Sequence, residues 1–317
     1  MKIKGLVNCA IILLVIAVFV IYAGHVLRPV DTDGAVAAIN AFHALPENSL
    51  EVIGFGSSHM WRGLDPSVMY DEYGISAYNY GCNWQKCNTT SLFIQDALRT
   101  QKPKVILVET FLLGEMLMND DMDGEIYYTR AIDEFSGKLR FLKQCFVYDW
   151  ERYLSYYVPF CAFHDNLTEI SKQSFKLTMD GSGFLQTKGF VGTDDVTQIS
   201  ILDHKSMPQS EFQDAARREI EYIIQVCREN NVEIVFYVHP YEGEYNYFDA
   251  MNALASEYGY PFLNLFELND EIGLDGAADF SDIGHLNTSG SQKVARYLSE
   301  YLKANYDLTD ARIEVSA

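Results

Sequence analysis

Residues 50–60 constrain the fold most. They read Leu-Glu-Val-Ile-Gly-Phe-Gly-Ser-Ser-His-Met, a short apolar run from Val52 to Phe55 that breaks into Gly56, Ser57, Ser58 and His59. A short apolar run bounded by glycine reads as a buried strand. Such a strand is rigid, the glycine lets the backbone turn sharply, and a hydroxyl is left at the edge of the sheet, where α/β enzymes hold a nucleophile. An ordinary strand-to-helix turn uses the same residue types, so the rest of the chain has to decide.

A β–α rhythm follows. Asp65 and Pro66 read as the cap and first position of a helix that runs to Tyr73 and stops at Gly74. Residues 75–80 are a second strand, followed by Gly81-Cys82-Asn83, and residues 89–100 are a helix with Leu92, Phe93, Ala97 and Leu98 on one face. Residues 105–108 are wholly apolar, which suits a central strand, and end at Glu109-Thr110. The rhythm resumes with an amphipathic helix marked by Ala216, Ile220, Ile223, Ile224 and Cys227, a strand at 234–238 ending in His239-Pro240, a helix at 248–258 and a strand at 262–265. An acidic loop ends in Asp279-Phe280-Ser281-Asp282-Ile283-Gly284-His285; Ser289, with Gln292 as capping-box partner, then opens a last helix. The tail after Tyr306 is expected to be loose.

Between about 112 and 208 the rhythm is lost. This stretch is rich in aromatic residues, among them Tyr127, Tyr128, Phe135, Phe141, Trp150, Tyr153, Tyr156, Tyr157 and Phe160. Helices are expected at 141–147 and 150–162, and turns with short strands at 181–202. It reads as an insertion forming a cap rather than a separate domain, and most of its aromatics pack the insertion itself.

At the N-terminus Lys2 and Lys4 precede an apolar run over 6–22, interrupted only by Asn8 and Cys9. As a helix it approaches the ~30 Å of a hydrocarbon core. Flanking lysines place the N-terminus in the cytoplasm and the body outside; a cleaved signal peptide is the alternative, but the run is long for one. Residues 1–27 are thus the anchor, 28–49 a connector, 50–306 the α/β domain and 307–317 the tail. Acidic residues outnumber basic ones 44 to 24, a net charge of -20, which argues against nucleic acid or anionic lipid as a partner. Of the six cysteines, Cys9 lies in the apolar run and the others lack zinc-like spacing; most read as buried small apolar residues.

Alternating strands and helices give a mainly parallel sheet covered on both faces, and ligands bind such sheets at the carboxyl ends of the strands. Each unusual group falls there. Ser58 is the candidate nucleophile, His285 its base, and Asp282 the group that holds the imidazole by its other nitrogen. The N–H of Ser58, the N–H of Gly81 and the amide of Asn83 are candidate oxyanion donors. Asp279, Asp282 and His285 also admit a metal cluster, but three ligands from one loop without a second block are weak evidence, and no metal or cofactor is expected. His59 and His239 are either pocket-lining or core histidines.

A strand ending Gly-Ser-Ser with a late Asp-x-x-His resembles the SGNH/GDSL hydrolase superfamily. The longer pattern is Gly-Ser-Ser-His-Met-x-x-Gly-x-Asp-Pro, then Tyr-Asn-x-Gly, then Asp-Phe-x-Asp-x-Gly-His-Leu-Asn. It resembles a membrane-anchored bacterial branch related to the D-alanyl transfer protein of teichoic acid synthesis. The resemblance covers residues 50–108 and 232–302. It implies a three-layer, flavodoxin-like parallel sheet with Ser58 as nucleophile, Asp282 and His285 as its relay, and Gly81 in the second block. The family's Gly-x-Asn-Asp block is absent, and Glu109-Thr110-Phe111 stands in its place, so Asn83 is the substitute donor. The expected activity is hydrolysis or transfer of ester-linked acyl groups on cell-envelope glycans, with an acyl donor, a glycan acceptor and a membrane-bound O-acyltransferase as partners. A plain esterase or lipase, and a non-catalytic scaffold or glycan-binding partner of such an acyltransferase, are the alternatives.

Overall fold

The computed structural model describes residues 2–30, 34–118, 126, 128–176, 181–201, 208–243 and 247–314. Tyr127 and the end of the expected 181–202 stretch lie outside the described residues.

Two helices, α1 (Lys2–Leu27) and α2 (Ala35–His43), precede the sheet. Then come β1 (Val52–Phe55), α3 (Ser58–Gly63), α4 (Pro66–Tyr73), β2 (Ala77–Asn79), α5 (Cys87–Thr100) and β3 (Val105–Glu109). The inserted stretch carries α6 (Phe135–Phe146), α7 (Trp150–Tyr157), α8 (Pro159–Phe163) and α9 (Ser182–Gln186). The second half holds α10 (Asp214–Glu229), β4 (Glu233–Val238), α11 (Phe248–Tyr258), β5 (Phe262–Asn264), α12 (Asn269–Ile272), α13 (Thr288–Asn305) and α14 (Ala311–Glu314).

The five strands are all parallel, in the order β2-β1-β3-β4-β5. This is the flavodoxin-like doubly wound order, whose switch point, and natural crevice, lies between β1 and β3. Side chains alternate between two cores, as the period of two along a strand requires. Ile53, Phe55, Ile106, Val108, Ile234 and Phe236 pack with Phe42, Phe93, Ile220 and Ile223 on one face. Val52, Val105, Leu107, Val235 and Tyr237 pack with Met60, Val294, Leu298 and Leu302 on the other. Because helices cover both faces, the strands read as nearly unbroken apolar runs.

Residues 58–63 form a helix that the sequence did not mark. Three expectations are corrected. The described part of 181–201 holds α9 and irregular chain, with no strand. The cap of α13 is Asn287, whose side chain accepts the Gly290 N–H at 3.1 Å; Ser289 already lies inside the helix, and its hydroxyl donates to Asp279 at 2.7 Å. As far as Glu314, the tail is docked rather than loose. The Ala311 N–H donates to the Gly74 carbonyl (2.9 Å) and Arg312 donates to the Asp71 carbonyl (2.8 Å), extending the contact between the two ends of the α/β unit.

One described helix, Ile3–Leu27, is long and apolar enough to cross a membrane. All six cysteines are free thiols; Cys82, Cys87, Cys145 and Cys227 are buried, Cys9 and Cys161 exposed.

Candidate active site

The turn that presents Ser58, the candidate nucleophile, is built by Gly56, with φ of 153°. An L side chain rarely adopts that backbone, and a Cβ there would meet the Glu109 Cβ at 2.8 Å. Ser57 then caps α3, its hydroxyl oxygen accepting the His59 N–H at 3.3 Å. Ser58 is the first residue of α3, so its N–H is one of those a helix leaves without an intrahelical acceptor.

The opposite side is a tight loop. Phe280 and Leu286 form an antiparallel bridge, and the Ser281 N–H donates to the His285 carbonyl at 2.9 Å. Asp282 Oδ1 accepts the N–H groups of Gly284 and His285, both at 2.9 Å, which folds the aspartate back over its own turn. This places the His285 Nδ1 2.8 Å from Asp282 Oδ1, and with the Nδ1–H donated to the carboxylate, Nε2 accepts from the Ser58 hydroxyl at 2.7 Å. Burial works to raise the Asp282 pKa, but donation from Gly284 and His285 outweighs it and holds the carboxyl below its ordinary range. Arg62, on α3, lies 3.7 Å from Asp282 Oδ2 and brings a positive charge to the carboxylate.

Aromatic rings form the floor. His59 stacks on Phe111 at 3.8 Å and on His239 at 4.7 Å, and meets Tyr241 and His285 edge-on at 5.4 and 5.3 Å. His59 and His239 are fully buried. Burial drives His59 well below 6.5, and the nearby His239 and His285 push the same way. His239 falls to about 4 by burial, although the Pro240 and His59 carbonyls face its two nitrogens. Both rings are therefore neutral near pH 7, and they shield one side of His285 from water.

Glu109, at the end of β3, is 2% exposed. It accepts from the Ser57 hydroxyl at 3.2 Å and the Phe111 N–H at 2.8 Å. Burial outweighs these donors and pushes its pKa up to about 8. The sequence marked this position only as a departure from the family pattern; its contact with Ser57 spans two strands and has no local signature.

The expected oxyanion donors fare unequally. The Gly81 N–H donates to Asn79 Oδ1 at 3.1 Å, so in this conformation it is committed within the chain. Asn83 follows in the same loop, half-buried, and its backbone carbonyl accepts from the Tyr128 hydroxyl. Two positioning side chains escaped the sequence reading. Asn79 donates to the Met60 and Leu64 carbonyls at 2.7 and 2.8 Å, satisfying the end of α3. Gln85 accepts the Gly56 N–H at 2.7 Å, and its own amide nitrogen is buried with no partner among the described residues. The Tyr-Asn-x-Gly pattern was the available signal for Asn79; none marked Gln85.

Asp279 is a scaffold residue. Burial tends to raise its pKa, but Lys293 at 2.6 Å, the Asp275 N–H at 2.7 Å and Ser289 together hold it below the ordinary range. The end of the inserted stretch braces both halves of the site. Val191 donates to the Trp61 carbonyl on α3, and Thr197 and Ile199 donate to the Phe280 and Gly276 carbonyls of the segment that leads into the Asp282–His285 turn.

No family model matches this chain, and no curated protein matches it either. Among solved structures it is similar to a candidate acylhydrolase of Bacteroides fragilis, with 8% identity and a TM-score of 0.41 over 84% of this chain and 94% of that one.

Proposed function

We propose that the chain is a membrane-anchored serine esterase or acyltransferase of SGNH type, acting on ester-linked acyl groups of cell-envelope glycans. What supports the chemistry is one observation: Ser58, His285 and Asp282 are joined in series by hydrogen bonds of 2.7 and 2.8 Å. What supports the anchor is α1, with its body-side end followed directly by the connector. The N-terminus is cytoplasmic in this reading and the site lies outside.

In the proposed cycle the Ser58 oxygen attacks the acyl carbonyl while His285 Nε2 takes its proton, and Asp282 stabilises the imidazolium. The Ser58 N–H and the Asn83 amide receive the oxyanion; one such donor is worth about 10²–10³ in rate. Collapse breaks the ester bond, and the departing alcohol takes the proton from His285. Water or a glycan hydroxyl then attacks the acyl-Ser58, giving its proton to His285 and returning Ser58 as leaving group.

A second reading, a site completed by a membrane-bound O-acyltransferase, is favoured by the commitment of the Gly81 N–H to Asn79. The deciding test is covalent labelling of the full chain in detergent by a fluorophosphonate. Labelling that disappears in Ser58→Ala and His285→Ala supports an activated serine. A folded wild type that stays unlabelled sinks the self-sufficient enzyme and leaves the partner-completed site.

A further inference from the structure

The inserted stretch does more than pack on the α/β body: it clasps the last turns of α1. Residues 3–19 of α1 are exposed on every side, a bare length of about 25 Å. Beyond them Gly24, Val26 and Leu27 are buried. Gly24 lets the backbone of α8 come close, since a Cβ there would lie 2.6 Å from the Phe160 nitrogen. Polar ties fix the contact. His25 donates to the Lys176 carbonyl at 2.8 Å, Arg28 donates to the same carbonyl at 3.2 Å, and Asn166 donates to the Leu27 carbonyl, at the end of the helix, at 3.4 Å. The elements in contact are α8 and the short 3₁₀ turns Asn166–Glu169 and Lys172–Phe175.

These elements, and the adjoining α7, expose a run of large apolar side chains. Leu167 is 67% exposed, Ile170 39% and Phe175 53%. On α7, Trp150, Leu154 and Tyr157 are also exposed, at the i, i+4, i+7 spacing of one helix face. Scattered exposed apolar residues need no explanation, but six on adjoining elements packed beside the bare apolar length of α1 do. Trp and Tyr are suited to a bilayer interface, where the ring is buried and the polar atom stays wet.

The geometry points to a membrane-apposed surface: these residues enter the interfacial zone of the bilayer leaflet from which α1 emerges. This rests on the reading of α1 as a membrane span. The bare length of α1 is slightly short of the ~30 Å hydrocarbon core, which brings the clasp to the level where acyl chains meet headgroups. The occupant is lipid held by apolar contact, for a chain of net charge -20 gains nothing from anionic headgroups. The inserted stretch then fixes the tilt and height of the Ser58 site above the membrane instead of leaving it on a free tether.

The test uses the full chain, with Cys9→Ser and Cys161→Ser, reconstituted in phosphatidylcholine vesicles. A nitroxide is placed at Leu167→Cys, Phe175→Cys or, on exposed chain just before the central strand β3, Lys102→Cys; circular dichroism checks each fold. At 167 and 175 the ratio of oxygen to nickel-chelate collisions should stand several-fold above that at 102. Labels at 167 and 175 that collide with the chelate as freely as the one at 102 overturn the proposal. Labels shielded from both quenchers mean that protein covers the face, and overturn it too. Alkaline carbonate separates the two readings. A chain that resists extraction yet shows wet labels loses only the membrane-apposed surface, whereas a chain released from the vesicles loses the span as well.

Discussion

The Ser57 hydroxyl donates to Glu109 Oε2 at 3.2 Å, tying the residue before the proposed nucleophile to a carboxyl buried at the end of β3. The strands that end at these residues, β1 and β3, flank the switch point of the sheet, so this bond sets the position of the Gly56–Ser58 turn against its neighbour. Burial holds Glu109 protonated up to about pH 8, whereas in the unfolded chain it ionises near 4.5. The folded chain therefore keeps a proton that the unfolded chain has lost, and stability falls as pH rises through that window, at about 1.4 kcal/mol per unit. Glu109→Gln, a neutral isostere, should remove this slope. Melting temperatures of the two proteins should draw apart in favour of the variant from pH 5 to 8; parallel curves would show that Glu109 is ionised in the folded protein.

The stacked pair His59 and His239 acts at the other end of the scale. His239 falls from 6.5 to about 4, and His59 is also well below 6.5. Here the unfolded chain binds protons that the folded chain refuses, so stability is lost as pH drops below 6.5, with each ring adding about 1.4 kcal/mol per unit. With the opposing slope from Glu109, maximum stability is expected near pH 6.5. His239→Gln should flatten the acid limb of a melting-temperature profile, and an unchanged limb would refute a neutral buried ring.

Much of this was legible in the chain, and what was not has a common cause. β1 and α4 fall where the sequence placed them, because Val52 to Phe55 is bounded by Gly56, and Asp65-Pro66 and Gly74 are unambiguous helix ends. Asp282 and His285 were readable as neighbours because only two residues separate them. Glu109, Asn79 and Gln85 were not, since each acts on the nucleophile turn or α3 from a distant segment of the chain. The helix α3 is too short for a periodic pattern; its cap Ser57 and the Asn79 side chain define it. Asn287 rather than Ser289 caps α13 because the helix begins at Thr288; asparagine and serine both cap well, so residue type alone does not choose between them.

If the relay works as proposed, the charge of Asp282 matters more than its shape. Asp282→Asn keeps the loop's size and removes the partner of the imidazolium. The rate on a p-nitrophenyl ester should fall by about 10²–10⁴. Arg62 is partly exposed and 3.7 Å from the carboxylate, so Arg62→Ala should cost at most about fivefold, ~1 kcal/mol. Wild-type turnover in Asp282→Asn would remove the aspartate from the mechanism, and a deeper loss in Arg62→Ala would make the arginine a substrate contact instead.

Gly56 gives the sharpest separation of backbone strain from loss of chemistry. Its φ of 153° and the 2.8 Å between an added Cβ and the Glu109 Cβ leave no room for alanine. Gly56→Ala should destabilise the fold by about 1–3 kcal/mol from strain alone. It should also move Ser58 relative to His285, abolishing fluorophosphonate labelling even under conditions where the variant remains folded. Gly183, in α9, has nothing within 4 Å of the same added atom. Gly183→Ala should instead raise stability by about 0.4–1 kcal/mol through the unfolded chain and leave labelling untouched. Should Gly56→Ala melt and label as the wild type does, the nucleophile turn would not depend on this backbone, and the placement of Ser58 would have to come from α3 alone.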